Sequence, residues 1–143
     1  MPTPRTTLQA CAVLIAALLI GACASYDPET ISPSDESLLK FAEEPVRDLQ
    51  FSQLMDWYGY NRNYLVLRFN NQRWYAVGVM EPCVTDARQA RSLGLNTVVS
   101  TRLGVLDRII LDGRSCRIEE IRPLDHDAFR QSRDAYLASR RQG

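Results

Sequence analysis

The chain has 143 residues, of which 45% are apolar, 24% charged and 8% aromatic, with 7 Gly and 7 Pro. Those proportions describe one ordinary globular domain and exclude a mainly disordered, collagen-like or multi-span membrane protein. Lys plus Arg and Asp plus Glu both number 17, so the basic surplus of a nucleic-acid-binding protein is absent.

The first seven residues carry one positive charge, Arg5, and no acid; Leu8 to Ile20 is apolar apart from Gln9. That run is shorter than the about 20 residues a bilayer span needs, and Cys11 to Ile20 lacks the polar face of a core helix. A positive start, a short apolar run and small residues after it predict a signal peptide over residues 1–22. Its end, Ile20-Gly21-Ala22-Cys23, resembles the lipobox of bacterial lipoproteins: a branched apolar residue, two small ones, then Cys. The resemblance implies cleavage before Cys23 and lipidation of its thiol, several acyl chains making a firm anchor. By the sorting pattern of enteric bacteria, the lack of Asp after Cys23 favours the outer membrane, with the protein facing the periplasm. An ordinary signal with a chance cysteine is the other reading. Residues 23–33 are polar with two prolines and read as a tether, leaving 34–143 as a single domain.

Ser34-Asp35-Glu36-Ser37 followed by Leu38-Leu39-Lys40-Phe41-Ala42 reads as an N-capped short helix that must end before Pro45, and Val46 to Phe51 reads as a short strand. Tyr64–Phe69 and Arg73–Met80 are β-prone runs joined by Asn70-Asn71-Gln72, a turn in which Asn tolerates positive φ. Thr85-Asp86 precede the helix formers Ala87 to Arg91, with Gly94 as a stop. Asn96 to Leu103 reads as a strand. Asp112-Gly113 between Asp107–Leu111 and Arg114–Ile118 is a strong hairpin signal, and a two-residue turn there pairs Leu111 with Arg114 and Ile109 with Cys116. Asp125 caps a helix through Arg141 with Phe129, Arg133, Tyr136 and Leu137 on one stripe. The expected fold is α+β: an antiparallel sheet of about five strands, one short crossing helix and a C-terminal helix.

With Cys11 in the signal and Cys23 lipidated, Cys83 and Cys116 are left to form one disulfide in an oxidising compartment. The hairpin register agrees, since Cys116 shares the apolar face of Ile109 and Leu111. No metal or cofactor is expected: there is no Cys-x-x-Cys, and His126 is the single histidine. No nucleophile elbow, phosphate loop or metal motif occurs. Glu119 and Glu120 are successive strand residues and should face opposite ways, and His126 reads as a surface residue beside a helix cap. Seven of the twelve aromatics fall between positions 57 and 75. They suit either a core or a binding face; Trp57, Tyr58 and Tyr60, set among polar residues, are the candidate binding surface. Charge is uneven, −6 over 23–56 and +5 over 57–143. The two halves can attract each other, the basic half can face anionic lipid or glycan, or the charges simply form a solvated face.

Trp57, Tyr64-Leu-Val-Leu, Trp74-Tyr-Ala-Val, Glu81-Pro82-Cys83, Asp107-Arg-Ile-Ile and Cys116-Arg-Ile-Glu-Glu-Ile-Arg-Pro, behind a lipobox, resemble small proteobacterial lipoproteins of domain-of-unknown-function family 6491. The likeness spans about residues 46–125 and implies a bridged, β-rich, periplasm-facing domain with no assigned activity; the arginine-rich end after Leu124 lies outside it. The leading expectation is a lipid-anchored, non-catalytic module that binds or scaffolds an envelope protein or glycan. A small periplasmic hydrolase or sugar-acting enzyme, or a chaperone for lipoproteins or lipids, are the alternatives.

Overall fold

The computed structural model describes residues 34–80, 83 and 86–142. The expected signal peptide (1–22), lipidated Cys23 and tether (23–33) lie outside the described residues, as does Thr85.

Ser34 caps α1 (Asp35–Leu39), its Oγ accepting from the Ser37 amide at 3.3 Å. The strands are β1 (Asp48–Gln50), β2 (Leu54–Gly59), β3 (Tyr64–Phe69), β4 (Trp74–Val79), β5 (Leu93–Asn96), β6 (Arg102–Gly104), β7 (Arg108–Leu111) and β8 (Arg114–Leu124); α2 spans His126–Arg141. Six form one antiparallel sheet in the order β2-β3-β4-β8-β7-β5, and β1 pairs with β6 in a second sheet of two. The architecture is the expected α+β, with eight strands among the described residues where about five were expected.

The central strands are apolar on both faces because both are covered, which is why Tyr64–Phe69 reads as a nearly unbroken hydrophobic run. Leu65, Leu67, Phe69, Tyr75, Val77, Ile109, Leu111 and Ile118 fill the inner face. On the outer face Tyr64, Val66, Ala76 and Leu124 pack under Leu38, Phe41, Tyr60 and Phe129. Cys83 and Cys116 form a disulfide with Cα atoms 5.2 Å apart, and Cys116 is 1% exposed in the inner cluster. A register shift opposite Gly78 and Val79 flips side-chain parity along β8. Cys116 and Ile118 point inward before it, Ile121 after it.

The hairpin register is as read, Leu111 opposite Arg114 and Ile109 opposite Cys116, with Asp112 and Gly113 both at positive φ. In the β3–β4 turn it is Gln72 that takes positive φ (63°), while Asn71 uses its side chain to accept from the Arg73 amide.

Four local readings are corrected. No strand is expected over 54–59, where Asp56 and Gly59 interrupt the apolar pattern; β2 forms there by pairing with β3, with an irregularity between Leu54 and Asp56, and is an edge because β3 is its one neighbour in the sheet. The segment after Asp86 forms one 3-10 turn, Ala87–Gln89, and Gly94 lies within β5, where Leu93 and Leu95 turn inward against β7. The strand expected over 96–103 is split. Asp107, 8% exposed, accepts from the amides of Val98 (2.9 Å) and Gly104 (2.7 Å), and so turns a β-branched segment into a loop. Finally, the α2 stripe docks only at its first turn: His126 and Phe129 are buried, and Arg130 to Gln142 are exposed.

Candidate functional site

Cross-strand pairing lays out the outer face in rows. Tyr64, Gly78 and Glu120 form one; Tyr58, Val66, Ala76 and Arg122 the next; Asp56, Arg68, Trp74 and Leu124 the third. In the first row Gly78 leaves a gap: a Cβ there would meet Glu120 Cγ at 3.1 Å and Tyr64 Cε1 at 3.3 Å. Through that gap Tyr64 Oη reaches across β4 and donates to Glu120 Oε1. Glu120 Oε2 accepts from Arg122 Nε at 2.8 Å, and Arg122 Nη1 donates to the Glu43 carbonyl at 3.2 Å. Burial, then the bond to Glu120, push the Tyr64 hydroxyl well above its ordinary range, so it stays a donor. Beside it Asp35 accepts from Asn61 Nδ2 (2.5 Å) and Asn63 Nδ2 (3.0 Å), and a shallow polar cleft runs between Asp35, Asn63, Tyr64 and Glu119. Glu119 and Glu120 do face differently, one into solvent and one onto Tyr64. Both Glu120 oxygens are engaged, so this cluster holds structure and offers no ready base.

The third row carries Trp74, on which an aromatic cluster is built. His126 stacks on Trp74 with centroids 3.8 Å apart and planes 12° from parallel, and the Arg68 guanidinium lies 5.4 Å from the centroid of the Trp74 ring. His126 is therefore an interior residue, correcting its reading as a surface one. Burial lowers its pKa, helped by Arg130 and Arg133 and opposed by Asp127 and Asp56. Tyr58 sits 6.1 Å from His126, its hydroxyl buried without a hydrogen-bond partner among the described residues and its pKa pushed up to about 12, mainly by burial.

The three residues expected to be exposed do not form one surface. Trp57 turns to the inner cluster, Tyr58 lies half-buried in the outer one, and Tyr60 is 8% exposed with its ring edge-on to Phe129 at 5.6 Å. The reason is β2: alternate residues of a paired strand face opposite sides, so adjacent aromatics cannot present together.

The two most exposed large apolar side chains among the described residues lie elsewhere, on the two loops flanking β6. Val98 is 88% exposed, Leu106 84% and Val99 49%, and they line a shallow cleft with Arg47, Asp48 and Arg102. Arg102 Nε stands 3.8 Å from Asp48 Oδ1. Asp107 joins the two loops from beneath through the amide bonds described above. Sequence reasoning missed this cleft because Val98-Val99 reads as strand; the one available signal was an aspartate following Val105-Leu106 in an otherwise apolar stretch. The groups of three or more His, Cys, Asp or Glu that could hold a metal do not occur among the described residues.

A family model described as Family of unknown function (DUF6491) matches residues 5–140. The chain belongs to that family. The match extends beyond the likeness over about residues 46–125 at both ends and reaches well into α2, so the arginine-rich end after Leu124 belongs to the family pattern. No curated protein and no solved structure matches the chain.

Proposed function

We propose that this member of the family is a lipid-anchored protein of the cell envelope, held at the outer membrane through Cys23 and facing the periplasm. Its folded domain is a non-catalytic module that binds an envelope protein through the β6 loops. The observation that carries the binding reading is the pair of almost fully exposed aliphatic side chains, Val98 and Leu106, on loops tied together by a buried carboxylate. Large aliphatics clustered in solvent mark an interaction site, especially where the backbone beneath them is held in place. Arg47 and Arg102 at the cleft edge suit a partner that offers an apolar recess rimmed by carboxylates. The engaged oxygens of Glu120 and the stacked His126 support binding over catalysis, and the inward packing of Trp57 and Tyr60 weakens the case for sugar stacking.

Crosslinking in detergent-solubilised envelopes tests it. A discrete crosslinked protein should form with the wild type and disappear in V98D/L106D, a change confined to solvent-exposed positions. Retention of the same partner by the variant refutes the docking site. Mass spectrometry of the native N-terminus tests the anchor: an acylated Cys23 is expected, and an intact, unacylated terminus overturns it.

A further inference from the structure

α2 leaves the body after one turn, and an isolated helix of its length is marginal in water. Positions 126, 129, 130, 133, 136, 137 and 140 recur at spacings of three and four, so the stripe that enters the body at Phe129 continues outward as Arg133, Tyr136, Leu137 and Arg140. Arg130 lies at its edge, and Arg141 flanks it on the same side. The opposite side carries no arginine and centres on Gln131, Ala135 and Ala138, with Ala128 and Ser139 beside them. Tyr136 is 57% exposed and Leu137 45%. Arg140 lies 5.8 Å over the Tyr136 ring and its Nη1 donates to the phenol oxygen at 3.0 Å. From Arg130 onward, Asp134 is the single acid against four arginines.

We propose that this face of α2 lies on an anionic lipid bilayer. Arginines interleaved with one tyrosine and one leucine match the headgroup boundary: the guanidinium groups reach lipid phosphates while their stems, the ring and the leucine rest against the upper acyl region. Two apolar side chains make too small a core for a stable protein interface, whereas a charged bilayer acts on all four arginines at once, each strengthening partitioning about fivefold. The chain as a whole is neutral, so the attraction is local to α2. The inference rests on the membrane tether proposed above, which brings the domain within reach of the surface; α2 then supplies the second contact that sets the domain's orientation.

The full chain is reconstituted with vesicles of phosphatidylcholine alone, or with about a third phosphatidylglycerol, and read by flotation and by amide hydrogen exchange over residues 130–141. The tether predicts flotation with both compositions. The α2 proposal predicts exchange slowed at least tenfold on the anionic vesicles only, lost in R133E/R140E and kept in R133K/R140K. Slowing on anionic vesicles without flotation on neutral ones sinks the tether and leaves the α2 contact standing. The contact is overturned if the chain floats but α2 exchanges alike on both compositions, or if it floats with neither. It is equally overturned if soluble polyglutamate, without vesicles, slows exchange as much, since the face then reads acidic polypeptide.

Discussion

The disulfide should carry a large share of the domain's stability. Cys83 and Cys116 lie 33 positions apart, and Cys116 sits mid-strand on β8 opposite Ile109 with 1% exposure. In the chain-entropy account a loop of about 34 residues restricts the unfolded chain by roughly 3.8 kcal/mol at 25 °C. Domains of this size are stable by about 5–15 kcal/mol in total. Reduction should therefore remove a quarter to most of the stability and lower Tm by on the order of 15 °C. Urea unfolding followed by the fluorescence of Trp57 and Trp74 measures it. The oxidised protein, the reduced protein and C83A/C116A are compared, the double alanine losing about 1 kcal/mol more for its buried sulfur. The denaturant slope should steepen on reduction, because the uncrosslinked chain unfolds to a larger exposed surface. If the unfolding free energies of the reduced and oxidised proteins agree within about 1 kcal/mol, the crosslink is not restricting the unfolded ensemble and the reasoning fails.

Three further outcomes follow from single contacts. At Gly59 a Cβ would stand 2.0 Å from the Ala87 carbonyl oxygen and 2.5 Å from the Arg88 amide, both backbone, so G59A should cost about 1–3 kcal/mol by forcing the 3-10 turn off β2; an unchanged thermal midpoint would remove that close approach. D107A should cost about 1–3 kcal/mol and speed amide exchange at Val98 and Gly104, which lose a buried acceptor; exchange unchanged at both amides contradicts the role given to this carboxylate. His126 has a folded pKa below its unfolded value, so the unfolded chain takes up the proton first. Its contribution to stability is complete above pH about 6.5, falls as pH drops through that value, and levels off below the folded pKa. A plot of wild-type minus H126Q stability against pH should slope in that window and be flat above it, separate from the lower range where Asp86, held down chiefly by Arg88, titrates. A flat difference throughout refutes the buried, neutral histidine.

Local chemistry made several elements legible in the sequence. Ser34 and Asp125 accept from amides three residues on, as capping residues do, and those bonds form in any context that starts a helix there. Asp112-Gly113 adopts positive φ because few other pairs do so cheaply, and the turn then dictates the register that places Cys116 inside. Tertiary contacts settled what local chemistry left open. Whether Val98-Val99 is strand or loop depends on Asp107 arriving from nine residues away, and whether Trp57 and Tyr60 are presented or packed depends on β2 finding β3. His126 is interior because Trp74, more than fifty residues earlier, comes to lie flat against it. The pairing of Tyr64 with Glu120 spans a strand and passes over Gly78, a relation with no trace in sequence spacing. A residue's own preferences act over a few neighbours, whereas its burial is decided by whichever distant segment excludes water from it, and only the assembled sheet specifies that segment.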